Sequence, residues 1–155
     1  MLYISVALIL FVVIVDQLTK YAVLTAIGAG GKPLTVIEGF FYIVCHRNSG
    51  AAWGILKDAG VFFLAVIPIL VVVMAVFLVK TRDPLLRIAL SFVIGGAIGN
   101  YIDRIFAGGV VDFLDFYIFG YNFPTFNAAD SSIVLGSALL VFFSIRYKPQ
   151  NGDAT

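Results

Sequence analysis

The chain has 155 residues, of which 61% are hydrophobic and 12% charged, with a formal net charge of +1 at pH 7. Soluble domains carry about 25% charged residues, so there is too little polar surface here to cover a water-soluble globule. The composition is that of an integral membrane protein. The small net charge offers no basic field for nucleic acid. A single cysteine excludes an intrachain disulfide and leaves the redox compartment open, and one cysteine with one histidine argues against a His/Cys metal site.

The first apolar segment, about 2–24, is interrupted by Asp16 and Lys20. It lacks a basic n-region and runs past these charges without a small-x-small cleavage site, so it reads as a retained helix and not as a signal peptide. The stretch Leu34–Cys45 is rich in Val, Ile, Phe and Tyr and has strand propensity. A small extracytoplasmic sheet and an ordered loop lying on the membrane both fit it. Cys45 follows Tyr42-Ile43-Val44, without the small residue that a lipid-attachment site requires. The second apolar segment, 61–79, carries no charge. The third, about 85–105, has Arg87 at its start and Asp103 and Arg104 near its end. An outer loop, 106–126, leads to the fourth segment, about 127–145, which Arg146 closes. The tail from Pro149 is expected to be disordered.

A helix needs about 20 residues to cross the hydrocarbon core, and long apolar runs without period-2 alternation favour helices over a barrel. The pattern predicts an all-α integral membrane protein with four transmembrane helices in one membrane domain spanning 1–155. Lys80, Arg82 and Arg87 crowd the connection between the second and third helices, and Arg146 and Lys148 follow the fourth. The positive-inside rule makes these ends and both termini cytoplasmic. The loops at about 25–60 and 106–126 then face outward.

This topology gathers the polar residues. At about 1.5 Å per residue, Asp16 lies about 20 Å along the first helix, and Asn100 and Asp103 lie a similar distance along the third. Asp130 starts the fourth, and Asp112 and Asp115 fall in the outer loop. Of nine acidic residues, four lie between 103 and 130, where Arg104 is the only base. Lys20, Arg87 and Asp115 taken singly read as helix-end markers. The converging set reads as a functional site near the outer boundary, since ionisable groups at membrane depth are costly. Cys45 and His46 make a poor dyad, because neighbours on a strand point to opposite faces, and there is no HExxH. Paired carboxylates remain. Two held close share a proton, and such a pair can activate water against an amide. Carboxylates in a bundle can equally relay protons, as in a small proton-coupled transporter or channel subunit. Chemistry alone does not say which aspartates pair.

Five strings occur in order: DQLTK from Asp16, RNSGAAW from Arg47, GGAIGNYIDR from Gly95, VDF from Val111 and FNAADS from Phe126. Together, over nearly the whole chain, they resemble the bacterial lipoprotein signal peptidase family, signal peptidase II. The resemblance implies an aspartic endopeptidase of the bacterial inner membrane, with its site near the extracytoplasmic face and no cofactor or metal. It implies diacylglyceryl-modified prolipoproteins as substrates, cut just before the lipidated cysteine, and membrane lipids as surroundings. It also implies a cyclic peptide inhibitor, globomycin, in the same site. By motif, the catalytic pair falls on Asp112 and Asp130. Asp16, Lys20, Asn48, Gly50, Asn100, Asp103, Arg104 and Asn127 fall among the supporting or substrate-binding residues. Trp53 stands where the family usually has Phe, which keeps an aromatic body and adds an indole N–H. Loop 33–56 is expected to cover the site.

Overall fold

The computed structural model describes residues 2–48 and 60–146, with the side chains of Gly60 and Val61 outside that description. Gly50, Trp53, the part of the expected covering loop beyond Asn48, and the tail from Pro149 lie outside the described residues. The helices are α1 (Leu2–Ala26), α2 (Gly60–Lys80), α3 (Pro84–Ala107) and α4 (Ala128–Arg146). All four are long and apolar enough to cross a membrane. Leu10, Phe11, Ile14 and Leu18 of α1, and Ile69, Val72, Val76 and Phe77 of α2, are exposed. Apolar side chains pointing outward over whole helices suit a hydrocarbon surround and not water.

The sequence places α3 at the centre. Asp83 caps its start, accepting from the Leu86 N–H at 3.0 Å, with Pro84 in its first turn. Gly108, at φ 67°, ends it in the left-handed conformation that glycine adopts without strain. Between these ends, Gly95, Gly96 and Gly99 let the neighbours approach. A Cβ on Gly95 would meet the Val12 side chain at 2.8 Å, and one on Gly96 would strike the Ala129 carbonyl. The small residues thus form the seams of α3 with α1 and α4.

Four strands form one antiparallel sheet in chain order: β1 (Leu34–Ile37), β2 (Phe41–Asn48), β3 (Val110–Ile118) and β4 (Tyr121–Asn122). The Leu34–Cys45 stretch is therefore a hairpin, with Leu34 opposite Ile43. Within the 106–126 connection, Asp112 and Asp115 both lie on β3. Val110 to Phe113 are all buried, so this strand has no polar-out alternation to announce it. Helix α1 runs into β1 and α3 into β3, while α4 starts after β4. The sheet therefore covers one end of the helix bundle. Phe41 and Phe126 both stack on Phe116, with ring centroids 4.4 and 5.8 Å away. Beneath it, Val23, Cys45, Val111 and Phe113 form a buried cluster that joins α1 to the sheet. Burial pushes the Cys45 thiol up, which keeps it protonated and unreactive.

Candidate active site

Asn127 and Asp130 lie three residues apart because they make a reciprocal cap. The Asn127 Oδ1 accepts the Asp130 N–H at 2.9 Å, and Asp130 Oδ2 accepts the Asn127 N–H at 3.2 Å. This is a capping box built from Asn and Asp, and it satisfies helix-end donors that otherwise lack partners. A second donor of that end, the Ala129 N–H, reaches across to Asp16 Oδ1 of α1 at 2.9 Å. The start of α4 is thus held by its own first turn and by a carboxylate of α1.

Asp112 comes from the sheet. On β2, His46 faces Asp112 and Asn48 faces Val110, with a bulge between Ile43 and His46. From its diagonal position Asn48 donates to Asp112 Oδ2 at 3.0 Å. The other oxygen, Oδ1, accepts from Asn127 Nδ2 at 2.8 Å. One residue therefore touches both aspartates: the Asn127 side-chain NH2 donates to the Asp112 carboxylate, its side-chain oxygen accepts the Asp130 N–H, and its backbone N–H donates to the Asp130 carboxylate. Asp130 Oδ1 in turn accepts from Asn100 Nδ2 of α3 at 2.8 Å. Each carboxylate has a donor on each oxygen. Burial pushes the Asp112 carboxyl up to about 6; the Asn48 hydrogen bond opposes this and the Asp130 charge adds to it.

Behind the pair lies a buried ion cluster. Lys20 Nζ sits 2.8 Å from Asp16 Oδ2 and 2.8 Å from Asp103 Oδ2, and it donates to Asn100 Oδ1 at 3.0 Å. Lys20 is 2% exposed, so it is the centre of this cluster and not a mark of the helix end. Asp103 also accepts the Val111 N–H at 3.1 Å, which ties β3 to α3 one residue before Asp112. Arg104 donates to the Asn100 carbonyl at 3.1 Å, lies over the Phe63 ring at 4.9 Å, and exerts its charge on Asp130, Asp112 and Asp103. Asp115 is apart from this group, accepting from Thr125 Oγ1 at 3.4 Å. Arg87 donates to the Thr81 carbonyl beyond the end of α2.

Gln17 also belongs to this cluster, although nothing in the sequence but its motif sets it apart as a site residue. Its Nε2 donates to Asp103 Oδ1 at 2.9 Å, to the Gly99 carbonyl at 3.2 Å and to Asp16 Oδ2 at 3.2 Å. The available signal was its place inside DQLTK beside Asp16. The Asp16–Lys20 spacing of four was equally readable as a same-face pair.

The pair opens on a cavity of ≈ 710 Å³ lined by Asn48, Asn100, Arg104, Asp112 and Asp130, which continues along Ile133, Val134, Leu135 and Ala138 of α4. It is polar at the carboxylates and apolar along the helix. Among the described residues, no three His, Cys, Asp or Glu side chains are grouped to hold a metal ion. Gly99 keeps this region in register, since a Cβ there would meet Asp16 Oδ2 at 2.5 Å. Gly99→Ala is expected to lower stability by about 1–3 kcal/mol, because Asp16 is held on both oxygens and cannot swing aside. Alanine's better helix propensity, about 1 kcal/mol, does not offset this. Thermal unfolding in detergent checks it.

Fold and site define a multi-pass membrane protein whose polar centre is an amide-bridged pair of carboxylates, an arrangement suited to acid–base chemistry. Residues 8–146 match the sequence pattern of the family described as Signal peptidase (SPase) II. The chain is 44% identical over 139 residues to the lipoprotein signal peptidase of Staphylococcus aureus strain JH9, covering 88% of this chain and 85% of that one, and equally to that of strain Newman. A solved structure described as a bacterial membrane enzyme, determined by the in meso method at 2.3 Å, superposes with a TM-score of 0.87 at 39% identity, covering 97% of this chain and 93% of that one. A second, at 1.9 Å, gives 0.83 at 41% identity, covering 93% and 94%. The chain belongs to the signal peptidase II family: it is a peptidase and a multi-pass bacterial membrane protein.

Proposed function

We propose that the protein is an aspartic endopeptidase that removes the signal peptide from diacylglyceryl-modified prolipoproteins, cutting just before the lipidated cysteine. The observation that carries this reading is the bridge through Asn127, which presents Asp112 and Asp130 together at the polar end of a cavity with an apolar wall. One carboxylate takes a proton from water while the other protonates the scissile carbonyl oxygen. The tetrahedral intermediate then collapses as a proton passes to the leaving amine. The two groups titrate as a unit, so acid and base are properties of the pair. Asp16, Lys20, Asn100, Asp103, Asn127 and Arg104 support the pair. The apolar wall receives lipid or signal-peptide side chains, and a cyclic peptide such as globomycin competes there.

The basic residues Lys80, Arg82, Arg87 and Arg146 stand at the bundle end opposite the sheet, which by the positive-inside rule is cytoplasmic. The site then faces outward in the bacterial inner membrane, with both termini inside and one membrane domain. The test compares diacylglyceryl-modified and unmodified prolipoprotein as substrates of the purified protein. The modified form should be cut, giving a mature chain that begins at the lipidated cysteine. Equal cleavage of both forms, or a cut elsewhere, would refute the assignment.

The Asp112 carboxyl also predicts a pH effect on stability. Its folded pKa of about 6 lies above the ordinary value of 3.8, so the folded state binds this proton more tightly. Its contribution is then greatest below about pH 4 and is lost as pH rises through 6. At about 1.4 kcal/mol per pH unit, this loss is roughly 3 kcal/mol at most. The stability of Asp112→Asn, followed by thermal unfolding, should therefore fall less than wild type between pH 4 and 7.

A further inference from the structure

We propose that Lys20 is a positioning residue that keeps the Asn100 carboxamide from accepting a proton from Asp130, so that a proton on Asp130 is presented to the cavity. This rests on the peptidase reading above. A carboxamide can turn over and exchange its donor and acceptor ends, so its orientation follows from groups that cannot change role. An ammonium is donor-only. Lys20 Nζ lies 3.0 Å from Asn100 Oδ1, which forces oxygen toward the lysine and NH2 toward Asp130. The backbone N–H of Asp130 fixes Asn127 in the same way; the Asn127 NH2 also donates to Asn100 Oδ1 at 3.1 Å, but it has the Val111 carbonyl at 3.3 Å as another acceptor, so its hold on Asn100 can be given up where that of Lys20 cannot.

The consequence appears when Asp130 carries a proton. Ionised, it accepts from Asn100 Nδ2 on one oxygen and from the Asn127 N–H on the other. Protonated, it needs an acceptor, and a freely turning Asn100 would supply one by rotating its oxygen inward. The proton would then be held inside the network. With Lys20 in place, that rotation would set NH2 against NH3⁺ and is blocked. Both neighbours of Asp130 remain donors, and its proton points to the cavity, where a scissile carbonyl or leaving amine can take it. Lys20 touches no reacting atom. Its 2% exposure and its two aspartate partners hold it still enough to act in this way.

The experiment is a double-mutant cycle on full-length protein in detergent, with diacylglyceryl-modified prolipoprotein under single-turnover conditions. Lys20→Met and Asn100→Ala are made singly and together, and cleavage rate, substrate affinity and thermal stability are read separately. Lys20→Met is expected to slow cleavage by about tenfold or more with substrate affinity little changed. In the Asn100→Ala background, the same change should cost no further rate, although its cost in stability persists. Equal slowing in both backgrounds would overturn the proposal and leave Lys20 a structural ion-pair partner. Should Lys20→Met not fold, Lys20→Gln runs the same cycle. Its amide can accept as well as donate, so the same rate pattern is expected, and additivity again overturns the proposal. Wild type that does not cleave would instead refute the peptidase reading.

Discussion

Asp112→Asn and Asp130→Asn are each expected to lower kcat by about 10³-fold or more, yet to differ in stability. An Asn at 112 removes a charge from a desolvated position. Its oxygen can keep the hydrogen bond from Asn127, whose orientation is fixed, and its NH2 then faces Asn48, a side-chain amide that carries an acceptor oxygen as well as a donor. Asp112→Asn should therefore unfold no more easily than wild type at neutral pH. Position 130 has no such relief. Both of its oxygens accept from donors that cannot turn, Asn100 Nδ2 held by Lys20 and the backbone N–H of Asn127. An NH2 placed against either costs about 1–3 kcal/mol. Activities should be compared well below both unfolding temperatures. Loss of activity with stability unchanged at 112 and reduced at 130 is the expected pattern, checked by cleavage and thermal unfolding side by side.

Asn127→Ala is expected to damage both fold and chemistry. The residue is fully buried, and its loss removes the helix cap of α4, worth about 0.5–2 kcal/mol. It also removes the NH2 that holds Asp112 Oδ1, and it leaves the Asp130 N–H without its cap acceptor. Stability should fall by about 2–4 kcal/mol. With the two carboxylates no longer bridged, kcat should fall by about 10²-fold, since small misplacements of reacting groups cost that much. An Asn127→Ala protein with wild-type kcat would show that the bridge is not needed for turnover.

The four helices were legible because each is a long apolar run, and α2 came within a residue of its expected bounds at either end. The strand propensity of β1 and β2 was legible from their β-branched and aromatic residues, but the same stretch fitted an ordered loop, and the hairpin pairing emerges only in the fold. Strand β3 was not, because Val110, Val111, Asp112 and Phe113 are buried together and give no alternation, and Asp112 and Asp115 look like loop residues. The convergence of Asp16, Asn100, Asp103, Asp112 and Asp130 followed from counting residues along antiparallel helices. Lys20 was legible only as a same-face partner of Asp16 within DQLTK, since its partners Asp103 and Asn100 come from α3, and Gln17 had no signature beyond its place in that string. Asn127 was visible through its motif, but that it grips both aspartates depends on how β3 lies against the start of α4.

The most direct test of the carboxylate pair is cleavage of a diacylglyceryl-modified prolipoprotein by the purified protein in detergent with EDTA present. Wild type is run beside Asp112→Asn and Asp130→Asn at a temperature where all three are folded. The account predicts that wild type cuts just before the lipidated cysteine and that neither variant does. Cleavage surviving in either variant would mean that the wrong carboxylates have been paired. No cleavage by folded wild type would contradict the account and favour proton transport by the same aspartates.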